Sequence, residues 1–161
     1  MKSLTICFWI ATTALIFSSC ASDPVDGWSE KDLMQHGLPI KMLVPDDVTV
    51  KKSELGIQQD FTIDGGDDYG VQVFVTERSG GSVTNIVAEL RTSIENNSAF
   101  HEIVYEQEDG FVYEFRFGPE RSNFGFRRVK LQGDYEYIIQ NAMGRIFDKE
   151  QAMNMFEAVI P

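Results

Sequence analysis

Few side chains among these 161 residues have the types that chemistry requires. His36 and His101 are the two imidazoles, and neither forms a metal-ligand pair at helical spacing. No zinc motif occurs, and no Gly-x-Ser-x-Gly elbow offers a serine nucleophile. Cys7 and Cys20 are the two thiols. Asp64-Gly65-Gly66-Asp67-Asp68 presents three carboxylates to a hard cation. Its spacing departs from the Asp-x-Asp-x-Asp-Gly calcium loop, and no Glu stands at the twelfth position. Gly and Asp are also the residues that tight turns demand, so the loop reads as a connection between strands. These residues predict no catalytic side chains, no metal and no cofactor.

Residues 115–130 have the most unusual composition. Arg116, Arg121, Arg127, Arg128 and Lys130 are interleaved with Phe115, Phe117, Phe124 and Phe126. Aromatic rings beside arginines can grip anionic groups or stack on bases. Arg116, Arg121, Phe124, Phe126, Arg127 and Arg128 are therefore the candidate ligand or partner surface. The competing reading is an ordinary sheet face, with Phe115 and Phe117 turned to the core and Arg116 outward by strand alternation. Charge argues against nucleic acid: 14 basic residues face 25 acidic ones, for a net −11. Glu106 and Glu108 share one strand face, as solubilising carboxylates commonly do.

The cysteines say where the chain goes. Lys2 gives a positive start, and residues 4–17 are apolar or small. That run is shorter than the about 20 residues a spanning helix needs, and suits the apolar part of a signal peptide. Phe17-Ser18-Ser19-Cys20 follows, and it resembles the lipobox of bacterial lipoproteins, with Phe where Leu is usual. The resemblance implies cleavage before Cys20, a diacylglycerol thioether on its sulfur, and anchoring to a membrane of the cell envelope by lipid. Two or more buried chains hold firmly at about 0.8 kcal/mol per CH₂. Cleavage after Ala21 by an ordinary signal peptidase is the alternative. In the lipoprotein reading residues 1–19 are signal, 20–37 are lipidated cysteine and tether, and 38–161 are one domain. A chain beginning at Cys20 has a single thiol and no internal disulfide.

Elements must then position whatever the domain uses. Residues 39–45 read as a strand bracketed by prolines, residues 48–51 as a second, and 57–63 and 71–76 as two more. Ser29 to Asp32 open a short helix that stops near Gly37. Val83, Ile86, Val87, Leu90 and Ile94 lie on one helical face, with Ser82 as N-cap. Residues 103–105 and 112–117 pair as a hairpin across Glu108-Asp109-Gly110, and 126–131 with 135–140 across Gln132-Gly133-Asp134. Asp148 and Gln151 cap a last helix whose buried side is Ala152, Met155, Phe156 and Val159.

Hairpins dominate, which predicts an α+β domain: a mostly antiparallel sheet of about six to eight strands, with a middle and a C-terminal helix packed on it. The segment "LPIKMLVPDDVTV" and this order of elements resemble PsbP-like domains, over about residues 38–160. The resemblance implies an α/β/α sandwich. That family carries no fixed chemistry, so no residue role is transferred. The expectation is a lipid-anchored envelope domain that binds a protein partner or ligand. An envelope hydrolase, or a small-molecule carrier with its pocket between sheet and helix, is the alternative.

Overall fold

The computed structural model describes residues 27–160. Cys20 and the expected signal segment lie outside them. The described chain forms β1 (Trp28–Asp32), a short 3-10 helix (Leu33–His36), β2 (Lys41–Pro45), β3 (Thr49–Leu55), β4 (Gln58–Asp64) and β5 (Gly70–Glu77). Helix α1 (Val83–Glu95) follows, then β6 (Phe100–Gln107), β7 (Gly110–Arg116), β8 (Ser122–Gln132), β9 (Tyr135–Asn141) and α2 (Lys149–Glu157). The domain is α+β. Seven strands make one antiparallel sheet in the order β3-β4-β5-β9-β8-β7-β6, and β1 with β2 forms a separate ribbon.

Local chemistry explains the boundaries. Ser82 starts α1 because its side chain accepts the Asn85 N–H. Asp148 and Gln151 form a reciprocal capping box at α2, satisfying two backbone donors that no helix can satisfy internally. Both expected hairpins are present, closed by Gln107 opposite Gly110 and by Gln132 opposite Tyr135.

The sheet is covered on both sides, by different means. Alternation along β7 sends Val112 to one face and Phe111 and Tyr113 to the other. On the first face, Phe61, Val73, Phe126 and Ile139 meet Met155 and Phe156 of α2 and Met42 and Val44 of the ribbon. Phe156 is fully buried and makes edge contacts with Tyr105 at 5.6 Å and Phe126 at 6.2 Å. On the second face, α1 lays Val87 and Ile94 against Phe111, Tyr113 and Val129. Each fully buried apolar side chain of this size contributes about 1.5–3 kcal/mol.

One expected boundary needs correcting. Residues 28–37, assigned to the tether, belong to the folded unit. β1 pairs with β2 from Trp28 opposite Pro45 to Asp32 opposite Lys41. The Trp28 ring meets Tyr69 edge-on at 4.9 Å, and Leu33 is fully buried. The expected helix survives only as the 3-10 turn after Asp32, which caps it by accepting the Met34 N–H. The missing signal is physical: Trp28 is the one apolar residue of β1, so no alternation marks the strand, and its partner lies several residues further on.

Candidate functional site

The arginine-rich segment becomes the end of β7, the following turn and most of β8, so alternation divides its residues between two faces. Phe126 is core, and Phe124 packs against the same cluster. Arg128 is buried on that side: Nε meets Asp109 Oδ2 at 2.8 Å, and Nη1 donates to the Phe156 and Val159 carbonyls at 2.8 and 2.9 Å. Its guanidinium also stacks over the Phe156 ring at 4.9 Å. Arg128 therefore ties the end of α2 to the sheet. Arg116 pairs with Glu114 at 2.8 Å, and Arg121 is exposed on the turn. Arg127 alone of the six reaches the α1 face. The six residues do not share one surface.

Arg127 lines a recess of about 200 Å³ with Tyr113, Gly125, Gln140, Asn141 and Met143. Cross-strand register builds it: Arg127 lies opposite Gln140 on β9, and Gln140 opposite Gln72 on β5. The polar row continues to Asp60, whose Oδ2 accepts from the Gln72 amide at 2.7 Å. Gln72 Oε1 and Asp60 Oδ1 are buried without a hydrogen-bond partner. Asn141 Oδ1 accepts the Phe126 N–H at 3.2 Å, which orients its Nδ2 hydrogens away as free donors. Gly125 keeps the recess open. A Cβ there would lie 2.6 Å from the Tyr113 hydroxyl and 2.7 Å from Asn141 Oδ1.

Two guanidiniums line the recess, Arg127 and Arg145, and Arg145 is paired with Asp64. Burial pushes the Arg127 guanidinium below the ordinary arginine range, opposed by the neighbouring Tyr113. Burial raises the Tyr113 phenol, and Arg127 draws it part of the way back. Seven ion pairs form among the described residues, and Arg127 belongs to none of them. The recess has no Asp or Glu in its lining, in a chain with 25 of them.

Two other clusters have different balances. Strand pairing sets Glu102 opposite Glu114, and a register shift between Phe100 and Glu102 lets His101 join them. Their ligand atoms lie within 4.8 Å of one another, the arrangement a divalent cation would need. Glu114 Oε1 is already committed to Ser122 at 2.6 Å and to Arg116, and these hydrogen bonds, Ser122 first, hold its carboxyl below the usual range. Spacing in the sequence could not find this trio, because a bulge and a strand pair create it.

The Asp64 loop carries its own cation. Arg145 donates from Nη1 to Asp64 Oδ1 and to the Tyr69 carbonyl, each at 3.1 Å, and from Nη2 to the Gly66 carbonyl. Asp64 also accepts the Gly66 N–H, and Asp68 accepts from Gln151 of α2 at 2.7 Å. The loop is a strand connection fastened to the C-terminal segment, with a guanidinium where a metal would compete.

Tyr113, Gln140 and Asn141 escaped sequence reading. Their one signal is a pair of amides closing the apolar run Tyr137-Ile138-Ile139. No protein-family model matches the chain, and no curated protein matches it.

Proposed function

We propose that this chain is a lipid-anchored binding domain of the bacterial cell envelope, tethered through Cys20 and acting by recognition rather than catalysis. The observation that carries the reading is the order of segments. A positive start and a short apolar run lead to Phe17-Ser18-Ser19-Cys20, seven residues ahead of the described fold, which opens at Gly27. Anchoring would raise the local concentration of the domain around membrane-bound partners. Among the described residues no helix is long and apolar enough to cross a membrane. The domain's similarity to PsbP-like proteins is part of the same proposal, supported by the order of its hairpins and two helices.

Mass spectrometry of the mature N-terminus tests the anchor. The expected species starts at Cys20 and carries a diacylglyceryl thioether, and Cys20→Ser moves the protein out of the membrane fraction. An unmodified terminus beyond Cys20 overturns it. A hollow of about 320 Å³ between α1 and β9, lined by Ile86, Leu90 and Ile138 together with Asn85, Glu89 and Glu136, favours the small-molecule carrier as a second reading. Native mass spectrometry of the chain from envelopes tests that reading. A small molecule that co-purifies and is lost on Ile138→Trp supports the carrier.

A further inference from the structure

A buried charge is ordinarily paired, because burial removes the water that stabilised it and only a counter-charge replaces that water. Arg128 is buried and obeys this rule; Arg127, its half-buried neighbour in sequence, has no carboxylate partner among the described residues. Arg127 Nη1 donates to the Phe126 carbonyl at 2.9 Å, and its guanidinium lies over the Tyr113 ring at 5.6 Å. Neither partner carries negative charge. The neighbours add donors instead: the oriented Asn141 amide, the Gln140 amide, itself more than nine-tenths buried, and the Tyr113 hydroxyl.

We propose that this recess binds the carboxylate of a small monocarboxylic acid, with Arg127 as its charge partner and the Asn141 and Gln140 amides as flanking donors. This deepens the binding-domain reading and rests on it. The guanidinium fork and the size of the recess suit a small anion, and the overall charge favours a carboxylate over a phosphate. Nη1 is engaged by the Phe126 carbonyl and the guanidinium also bonds the Tyr113 side chain, so the donors left to a ligand lie in the guanidinium plane, which matches two coplanar oxygens. The net charge of −11 repels a dianion more than a monoanion. The recess, at about 200 Å³, is smaller than the ~300–1,000 Å³ of drug-sized pockets. Half-buried Phe115 and exposed Met143 offer apolar contact to the hydrocarbon end of such an acid.

The test is a titration of the ¹⁵N-labelled full chain, purified in detergent, with sodium benzoate, sodium acetate and inorganic phosphate at fixed ionic strength. Benzoate is expected to shift the Arg127 Nε–H and Asn141 side-chain signals saturably in the millimolar range, with acetate weaker and phosphate weakest. Arg127→Gln should lower benzoate affinity at least tenfold while Tm holds or rises, since it removes a charge that lacks a partner. Asn141→Asp keeps the acceptor for the Phe126 N–H and supplies Arg127 with a carboxylate of its own. It should abolish binding and raise Tm, and it decides the matter if Arg127→Gln fails to fold. The proposal is overturned by the absence of saturable shifts, by phosphate binding more tightly than benzoate, or by unchanged affinity in the variants. The mature N-terminus is read separately, so failure of the titration leaves the anchor standing, and an unlipidated terminus leaves the recess standing.

Discussion

Arg127 and Arg128 are consecutive residues of one strand, and the two faces of the sheet treat them in opposite ways. On the α2 face, Arg128 is closed in by Asp109, two backbone carbonyls and an aromatic ring, so its donors are spent on holding the helix end. On the α1 face, Arg127 meets a phenol, amides and one carbonyl, and keeps charge and donors in reserve. The same residue type is a structural clamp on one side and lacks a carboxylate partner among the described residues on the other. What separates them is whether a carboxylate was placed within reach. Charge satisfaction, rather than residue type or sequence position, tells which arginine is available to a ligand.

The comparison can be broken most forcefully at the clamp. Arg128→Met leaves Asp109 and the carbonyls of Phe156 and Val159 without their partner, and should cost about 3 kcal/mol in chemical denaturation. If Arg128→Met were as mild as Arg127→Gln, the contrast between the faces would be void. Glycines on the two faces should differ in the same sense. Gly110→Ala forces a Cβ to within 2.2 Å of the Arg127 carbonyl oxygen, a backbone atom, and should cost about 2–3 kcal/mol. Gly125→Ala presses instead on the ends of two side chains, so its thermal loss should be smaller while benzoate binding disappears.

Smaller effects sharpen the picture away from β8. Arg145→Met removes the guanidinium that gathers Asp64 and the Gly66 and Tyr69 carbonyls, with an expected loss of about 1–2 kcal/mol. Addition of calcium should not restore the lost Tm if the loop is only a fastened turn. The least effect is expected at Glu114. Its folded-state carboxyl is held low by Ser122 and Arg116, so its stabilising contribution is present above the unfolded value of about 4.3 and is lost as pH falls through the folded value. Glu114→Gln should therefore differ from the parent by on the order of 1 kcal/mol at neutral pH, and the difference should vanish in acid. Melting curves across pH 2–7 measure this, and a gap that persists at the acid end refutes the assignment.

Much of the scaffold was legible because its signals are local. Val83 to Ile94 announce α1 by their spacing, Asp148 and Gln151 announce α2 by their cap, and Gly110 and Gly133 mark the two hairpins. Only half of the ribbon was legible: residues 39–45 read as the strand that became β2, but β1 is held by Tyr69 and by β2 rather than by its own pattern. The candidate site was legible only as composition. Arg127 stood in the unusual stretch, but Tyr113, Gln140 and Asn141 come from two other strands and join it through register alone.

The sequence alone determined the class of the domain, its two helices and its main hairpins, because periodicity, caps and turn residues act over a few positions. It also holds the whole argument for export and lipidation, which rests on residues 1–20. Tertiary structure decided which arginine is paired. Asp109 reaches Arg128 from the β6–β7 turn and, among the described residues, no carboxylate reaches Arg127, and those distances follow from strand order and from the side-chain alternation that sends neighbours to opposite faces.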